Sequence, residues 1–334
     1  MPKSVVFFNN KGGVGKTTLA CNFAYFLSAS GERVTVIDCD PQSNATQLLL
    51  EESSWEEIYE DRQQSESRTV LKALSHIRAG DSMIDKDVEL QRSPRFEVDV
   101  LAGHPSLSVV EDMISASWTD FASGQLGGAR RTLWSRELVN SLDCDVAVFD
   151  LGPSLGALNR SILLGSEYFV TPVSADLFSL YALENIGDWL QRSLYNYREN
   201  WKRLIAENGG IVDSYDVPSD LPISHGWSGY SVQQYVAKTS GGKIRGIQAY
   251  DRYKEEIPAR ALKLHQVQSR TLSRQELGIV PNMFSMVPMA QSAHAPIEAL
   301  TPADGVRGAQ VSQQRKYVDQ LNEMFARLKE NLSL

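Results

Sequence analysis

Short apolar runs alternate with amphipathic stretches along the first half of the chain. Val5-Val6-Phe7-Phe8 is apolar at every position and ends in Asn9-Asn10 and a glycine-rich turn. A run without polar alternation predicts a strand covered on both faces. Leu19, Phe23, Phe26 and Leu27 then recur at helical spacing, so a helix is expected over Thr18–Ser30, stopped by Gly31. Val34-Thr35-Val36-Ile37 reads as a second buried strand. Strand, loop, helix and strand in this order open a parallel sheet, because a parallel pair needs a crossover that packs back onto the sheet.

The same reading carries on downstream. Residues 51–93 are polar, with Glu51, Glu52, Glu56, Glu57 and Glu60 close together, and read as a solvated helical face. Phe96–Leu101 is expected as a strand, Leu133–Leu142 as a helix, and Val146–Phe149 as a buried strand ending at Asp150. Tyr168–Val170 predicts a strand and Leu180–Tyr197 a helix. Residues 206–228 are rich in Gly, Asp, Ser and Pro and mark a loop or insertion. Tyr230–Val236 is expected as a strand, Asp251–Gln275 as a charged helix, Met283–Val287 as a late strand and Gln310–Leu332 as a closing helix. The fold class is therefore α/β: a doubly wound, mostly parallel sheet with helices on both faces. It forms one domain over 1–334, with variable insertions at 51–95 and 190–228.

Composition narrows the class. The 334 residues are 42% hydrophobic and 22% charged, with a net charge of −8, which excludes a disordered, collagenous or coiled-coil protein. Cys21, Cys39 and Cys144 form no C-x-x-C pair, so a disulfide framework and a structural zinc site are not expected. There is no apolar run of spanning length and no secretory signature at the start, so the expected location is cytoplasmic. His76, His104, His225, His265 and His294 share no ligand spacing, and neither a zinc hydrolase nor a Ser-His-Asp enzyme has support.

The chemistry concentrates in Lys11-Gly12-Gly13-Val14-Gly15-Lys16-Thr17-Thr18, between a strand and a helix. Glycines let backbone N–H groups wrap round an anion, and the helix N-terminus adds a favourable dipole. Gly12, Gly13, Val14, Gly15 and Thr18 supply the cradle, Lys16 reaches the β- and γ-phosphates, and the Thr17 hydroxyl binds Mg²⁺. The general pattern G-x-x-x-x-G-K-S/T fails at its first glycine, where Asn10 stands, and an additional lysine, Lys11, sits at the mouth of the loop.

This loop resembles the deviant Walker A motif of the ParA/MinD ATPases. The resemblance implies that Lys11 reaches across an ATP-sandwich homodimer to the partner's nucleotide, where a second cation offsets charge on the transferred phosphoryl group. Asp38-Cys39-Asp40-Pro41-Gln42 is similar to the family's switch I, which implies that Asp40 positions the attacking water and Asp38 lies near the metal or the dimer contact. Val146–Asp150 and the following Leu151-Gly152-Pro153 look like the Walker B strand and switch II, with Asp150 as a metal residue and Gly152 where the family usually has proline. By the same resemblance Gln233 and Pro288 lie near adenine.

Residues 238–274 hold nine basic and three acidic residues within an acidic chain. Such clusters bind phosphate backbones. In the ParA branch a comparable segment binds DNA without sequence preference, which makes Lys243, Arg245, Arg252, Lys254, Arg260 and Lys263 the candidates. The last helix carries Val318, Leu321, Phe325, Leu328 and Leu332 as one stripe with mixed flanking charges, which suits packing on the core better than a membrane surface. The resulting expectation is an ATP- and Mg²⁺-dependent, slowly hydrolysing homodimer that binds DNA on the nucleoid and partitions or positions it with a ParB-like adaptor. Two alternatives share the site: a MinD-like membrane-positioning ATPase, and an ATP switch that regulates a secretion, conjugation or defence complex without DNA.

Overall fold

Eight strands form a single sheet in a computed structural model that describes residues 1–60, 62–233, 247–267, 272 and 274–334. They are β1 (Lys3–Phe7), β2 (Val34–Asp38), β3 (Gln91–Ser93), β4 (Val98–Leu101), β5 (Val146–Asp150), β6 (Tyr168–Ser174), β7 (Trp227–Gln233) and β8 (Glu276–Val280). Their order across the sheet is β3-β4-β2-β5-β1-β6-β7-β8, and every pair is parallel except β3 with β4. The helices that frame the sheet and its carboxyl edge include α1 (Lys16–Ala29), α2 (Asn44–Leu49), α3 (Leu107–Ala122), α4 (Leu126–Thr132), α5 (Trp134–Ser141), α6 (Ala157–Gly165), α7 (Leu177–Asn208), α8 (Ile247–Val267), α9 (Met286–Ser292) and α10 (Ala309–Asn331).

The unbroken apolar runs have their cause in two cores. Val5 and Phe7 belong to one, with α1 and α10; Val6 and Phe8 belong to the other, with α3, α5, α6 and α7. Adjacent residues point to opposite faces of a strand, so a central strand between helical layers must be apolar throughout. Because the strands run parallel, their carboxyl ends gather along one edge. That edge brings together Asn9, Asp38, Gly103, Asp150, Asp176, Gln233 and Pro281. The order reverses at β1, with β2 to one side and β6 to the other, where open α/β sheets bind ligands.

Several expectations change. The late strand is β8 at Glu276–Val280, not Met283–Val287; residues 286–292 are helix α9. The stretch 51–93 is not simply a solvated face, since Ile58, Val70, Leu71, Ala73, Leu74 and Ile77 are buried, and Thr69 pairs with Ala102 to extend the sheet's carboxyl edge. Helix α3, which carries Glu111, and the short edge strand β3 were not expected. Helix α7 also runs to Asn208, well beyond Tyr197.

The stripe on α10 lies on the core. Leu321, Phe325, Leu328 and Leu332 are buried, and the Phe325 ring packs 5.4 Å from Phe23 of α1. Phe325→Ala should therefore destabilise the fold by about 3–5 kcal/mol in a denaturant titration. A loss below about 1 kcal/mol would show the helix to be dispensable to the core.

Candidate functional site

The loop after β1 is shaped by two glycines in the left-handed region, Gly13 (φ 73°) and Gly15 (φ 78°), a conformation that side chains resist. Asn9 braces the start of the loop. Its Nδ2 donates to the Pro172 carbonyl at 2.7 Å, and its Oδ1 accepts the Lys11 N–H at 2.9 Å. Helix α1 begins immediately at Lys16, so its first N–H groups face the loop. The groove over the loop holds a cavity of about 470 Å³, with Lys16, Thr17, Asp40 and Pro153 on its walls. That volume lies within the range of small-molecule sites.

Three carboxylates and one ammonium meet beneath this groove. Asp38 and Asp150 are paired in register at the ends of neighbouring strands, and both are fully buried. Thr17 Oγ1 donates to Asp150 Oδ2 at 2.8 Å, while Asp150 Oδ1 is buried without a partner. Burial, and then the charge of Asp38, push the Asp150 carboxyl well above the usual range. Lys16 Nζ donates to the Lys11 carbonyl at 3.2 Å. Burial lowers its pKa, against the opposing pull of Asp150 and Asp40.

Asp38 organises the loop after β2. Its Oδ1 accepts the Asp40 N–H at 3.1 Å, and its Oδ2 accepts the Thr46 N–H at 2.8 Å and the Thr46 hydroxyl at 2.7 Å. Both oxygens thus accept hydrogen bonds within the chain, so Asp38 braces the loop after β2. Burial raises its carboxyl to about 6, against the pull of the Thr46 hydrogen bonds. Gly103 closes the pocket from β4: a Cβ there would stand 2.9 Å from the Asp38 carboxyl carbon. The Gly103 N–H also donates to Thr46 Oγ1 at 2.9 Å.

Asp40 leans on the opposite wall. A Cβ at Gly152 would lie 3.2 Å from Asp40 Oδ1, so the residue that departs from the family's D-x-P-P pattern is where the two switch segments touch. The turn keeps its shape without the first proline because Asn159, from α6, donates to the Gly152 carbonyl at 2.8 Å and the Ser154 carbonyl at 2.9 Å. Nothing in the hydrophobic pattern marks Asn159 for this role.

Lys11 turns toward its own subunit. Its ammonium is ion-paired with Asp176, the N-cap of α7, and lies 3.4 Å from Ser179 Oγ. Gln233 ends β7 and donates to the Val14 carbonyl at 2.9 Å, bracing the phosphate loop; its amide lies where a side chain on Gly15 would go. Pro288 is the third residue of α9 and is exposed. Gln233 pairs with Val280, so Pro281, directly after β8, is the proline at that edge.

Four of the six basic candidates lie along α8. Arg260 pairs with Glu184 and with Glu256 (3.5 Å), Lys263 with Asp188 at 2.6 Å, and Arg252 with Glu256 at 3.5 Å. Lys254 is half-buried and makes no ion pair among the described residues. Lys243 and Arg245 lie outside the described residues. Also among the described residues, no helix is long and apolar enough to cross a membrane, and no group of three or more His, Cys, Asp or Glu is arranged to hold a metal by itself.

Known proteins share this architecture. A family model described as an AAA domain matches residues 2–201. The cell division protein PomZ of Myxococcus xanthus is 30% identical over 216 residues, which span 65% of this chain and 59% of PomZ. The chromosome-partitioning ATPase Soj of Thermus thermophilus is 28% identical over 64% of this chain and 70% of its own length. Among solved structures, protein DIP2308 from Corynebacterium diphtheriae superposes with a TM-score of 0.78 at 31% identity, covering 99% of this chain and 98% of that one. With the phosphate loop after β1 and the acidic ends of β2 and β5 beside it, these matches establish that the chain belongs to the ParA/MinD family of P-loop ATPases.

Proposed function

We propose that the protein is an ATP-driven dimerisation switch of the partition or positioning type. The observation that carries this reading is the convergence of Lys16, Thr17 and Asp40 on one cavity over a glycine loop at a helix N-terminus, with Asp150 buried directly behind Thr17. Thr17 and the unpartnered oxygen of Asp150 suit a hard divalent cation that takes its remaining ligands from phosphate and water. Held there, a Mg²⁺ ion would supply charge neutralisation at the phosphoryl oxygens. The chain's own groups do the rest: loop amides and Lys16 bind the phosphates, and Asp40 holds water in line for attack. With so much of the site devoted to binding, turnover is slow and serves to time assembly.

Lys11 would complete the site of a second copy, and to do so it must leave Asp176. The pair is about one-third exposed on both sides, so this release costs less than about 1 kcal/mol. DNA contact through the segment 238–274, with a ParB-like adaptor as stimulator on the nucleoid, is the first form of the switch. The internal pairing of Arg252, Arg260 and Lys263 favours a second form, in which the switch acts on a protein complex without DNA. Gel shifts with ATP across a salt series separate the two: no binding at low salt would remove DNA from the proposal.

Lys16→Ala should reduce ATP turnover about 100-fold or more. Asp40→Ala should leave ATP binding intact and preserve the ATP dimer in light scattering, and normal hydrolysis in that variant would refute the water-positioning role. Lys11→Ala should abolish the ATP-dependent dimer, whereas Asp176→Asn should strengthen it by no more than about fivefold, the worth of an exposed pair. Asp150→Asn removes a like charge beside Asp38 and should raise the melting temperature of nucleotide-free protein by about 2–4 °C at pH 8. A carboxyl raised by folding lowers stability once it ionises, so this gain should fade as the pH falls and the Asp38–Asp150 pair takes up a proton. A gain that grows in acid would contradict the repulsion.

A further inference from the structure

Helix α6 follows switch II directly, and its N-cap residue, Gly156, has no side chain to bond the exposed N–H groups. The cap comes from another helix. Glu111 of α3 accepts the N–H of Ala157 on one carboxylate oxygen and that of Leu158, at 3.0 Å, on the other. Gly156 is where it is because a side chain there would collide with this carboxylate. A second contact joins the same helices: the Arg160 guanidinium of α6 lies 5.5 Å over the Trp118 ring of α3. From α6, Asn159 reaches back to the carbonyls of Gly152 and Ser154, and Asp40 lies close over Gly152, where a Cβ would stand 3.2 Å from its Oδ1. At the other end, the segment leading into α3 touches switch I, through the Gly103 N–H on Thr46 and the close approach of Gly103 to Asp38.

We propose that Glu111 is a positioning residue for hydrolysis: by capping α6 from α3 it holds switch II against Asp40 and ties it to switch I through residues 103–111. A charged cap accepting two backbone N–H groups is a strong anchor, and it makes no contact with the phosphate loop. Its loss should therefore act on turnover and spare nucleotide binding. This role rests on the ATPase reading above.

The test compares wild type, Glu111→Ala and Glu111→Gln. Amide exchange without nucleotide should quicken at Ala157 and Leu158 in Glu111→Ala. The KM for ATP should stay within about twofold while kcat falls about tenfold or more, as for an interaction felt mainly in the transition state. Glu111→Gln keeps an acceptor oxygen for one of the two amides and should give an intermediate effect, with kcat about threefold below wild type and exchange at 157–158 partly quickened; if Glu111→Ala does not fold, quickened exchange with a wild-type kcat in Glu111→Gln refutes the positioning role. Asp304→Ala removes the remote ion pair with Arg95 (2.8 Å) and serves as the stability control, with kcat and exchange at 157–158 unchanged. Faster exchange with an unchanged kcat would reduce Glu111 to a structural cap, and unchanged exchange would refute the cap itself. Wild type without ATP turnover would overturn the ATPase reading and the positioning role together. That outcome is distinguishable, because the exchange comparison uses no nucleotide.

Discussion

Two carboxylates at the ends of adjacent strands, both dry, are the constraint around which this protein is built. Asp38 and Asp150 sit side by side because parallel strands in register put their last residues together. Neither can carry its charge cheaply there. Asp38 is accommodated by the Thr46 and Asp40 N–H groups and the Thr46 hydroxyl. Asp150 has the Thr17 hydroxyl on one oxygen and nothing on the other. The unbalanced site is a standing demand for positive charge, met in part by the buried Lys16. A cation brought in with a triphosphate would meet it further, and ligand binding would then be coupled to the stability of the sheet edge.

That demand also explains why the surrounding loops are held so firmly. Switch I is folded round Asp38, switch II is knitted by Asn159, and Gly103 and Gly152 are bare of side chains where a carboxylate presses on them. Gln233 reaches from a more distant strand to the phosphate loop. The site is thus an array of side-chain-to-backbone hydrogen bonds that fix loops on a rigid sheet, the preorganisation that electrostatic catalysis requires. Lys11 is the exception. It is held by an ion pair about one-third exposed within its own subunit, a contact weak enough to exchange for another.

Part of the basic segment is paired within the fold. Helix α8 is positive in sequence, but α7 packs against it with Glu184 and Asp188, and these acids meet Arg260 and Lys263. The acids lie some 75 residues away in the chain, so no local window could include them.

The sequence by itself determined the parallel sheet, the phosphate loop and the roles open to Lys16, Thr17, Asp40 and Asp150. Each is written locally: an apolar run long enough for one strand, glycines at fixed offsets, and an acid where a run ends. It misplaced β8 because Glu276–Val280 contains Gly278 and has few bulky residues, whereas Met283–Val287 is apolar yet lies in and just before a helix turn. It passed over α3, and with it Glu111, although Leu107, Val110, Ile114 and Phe121 fall on one buried face. Only the tertiary structure decided which oxygen of Asp150 is left alone, that Asp38 serves switch I, that Lys11 rests on Asp176 and that Glu111 caps α6. These facts depend on groups brought together from opposite ends of crossovers, and hydrogen bonding and burial act on distance in space, of which spacing along the chain carries no record.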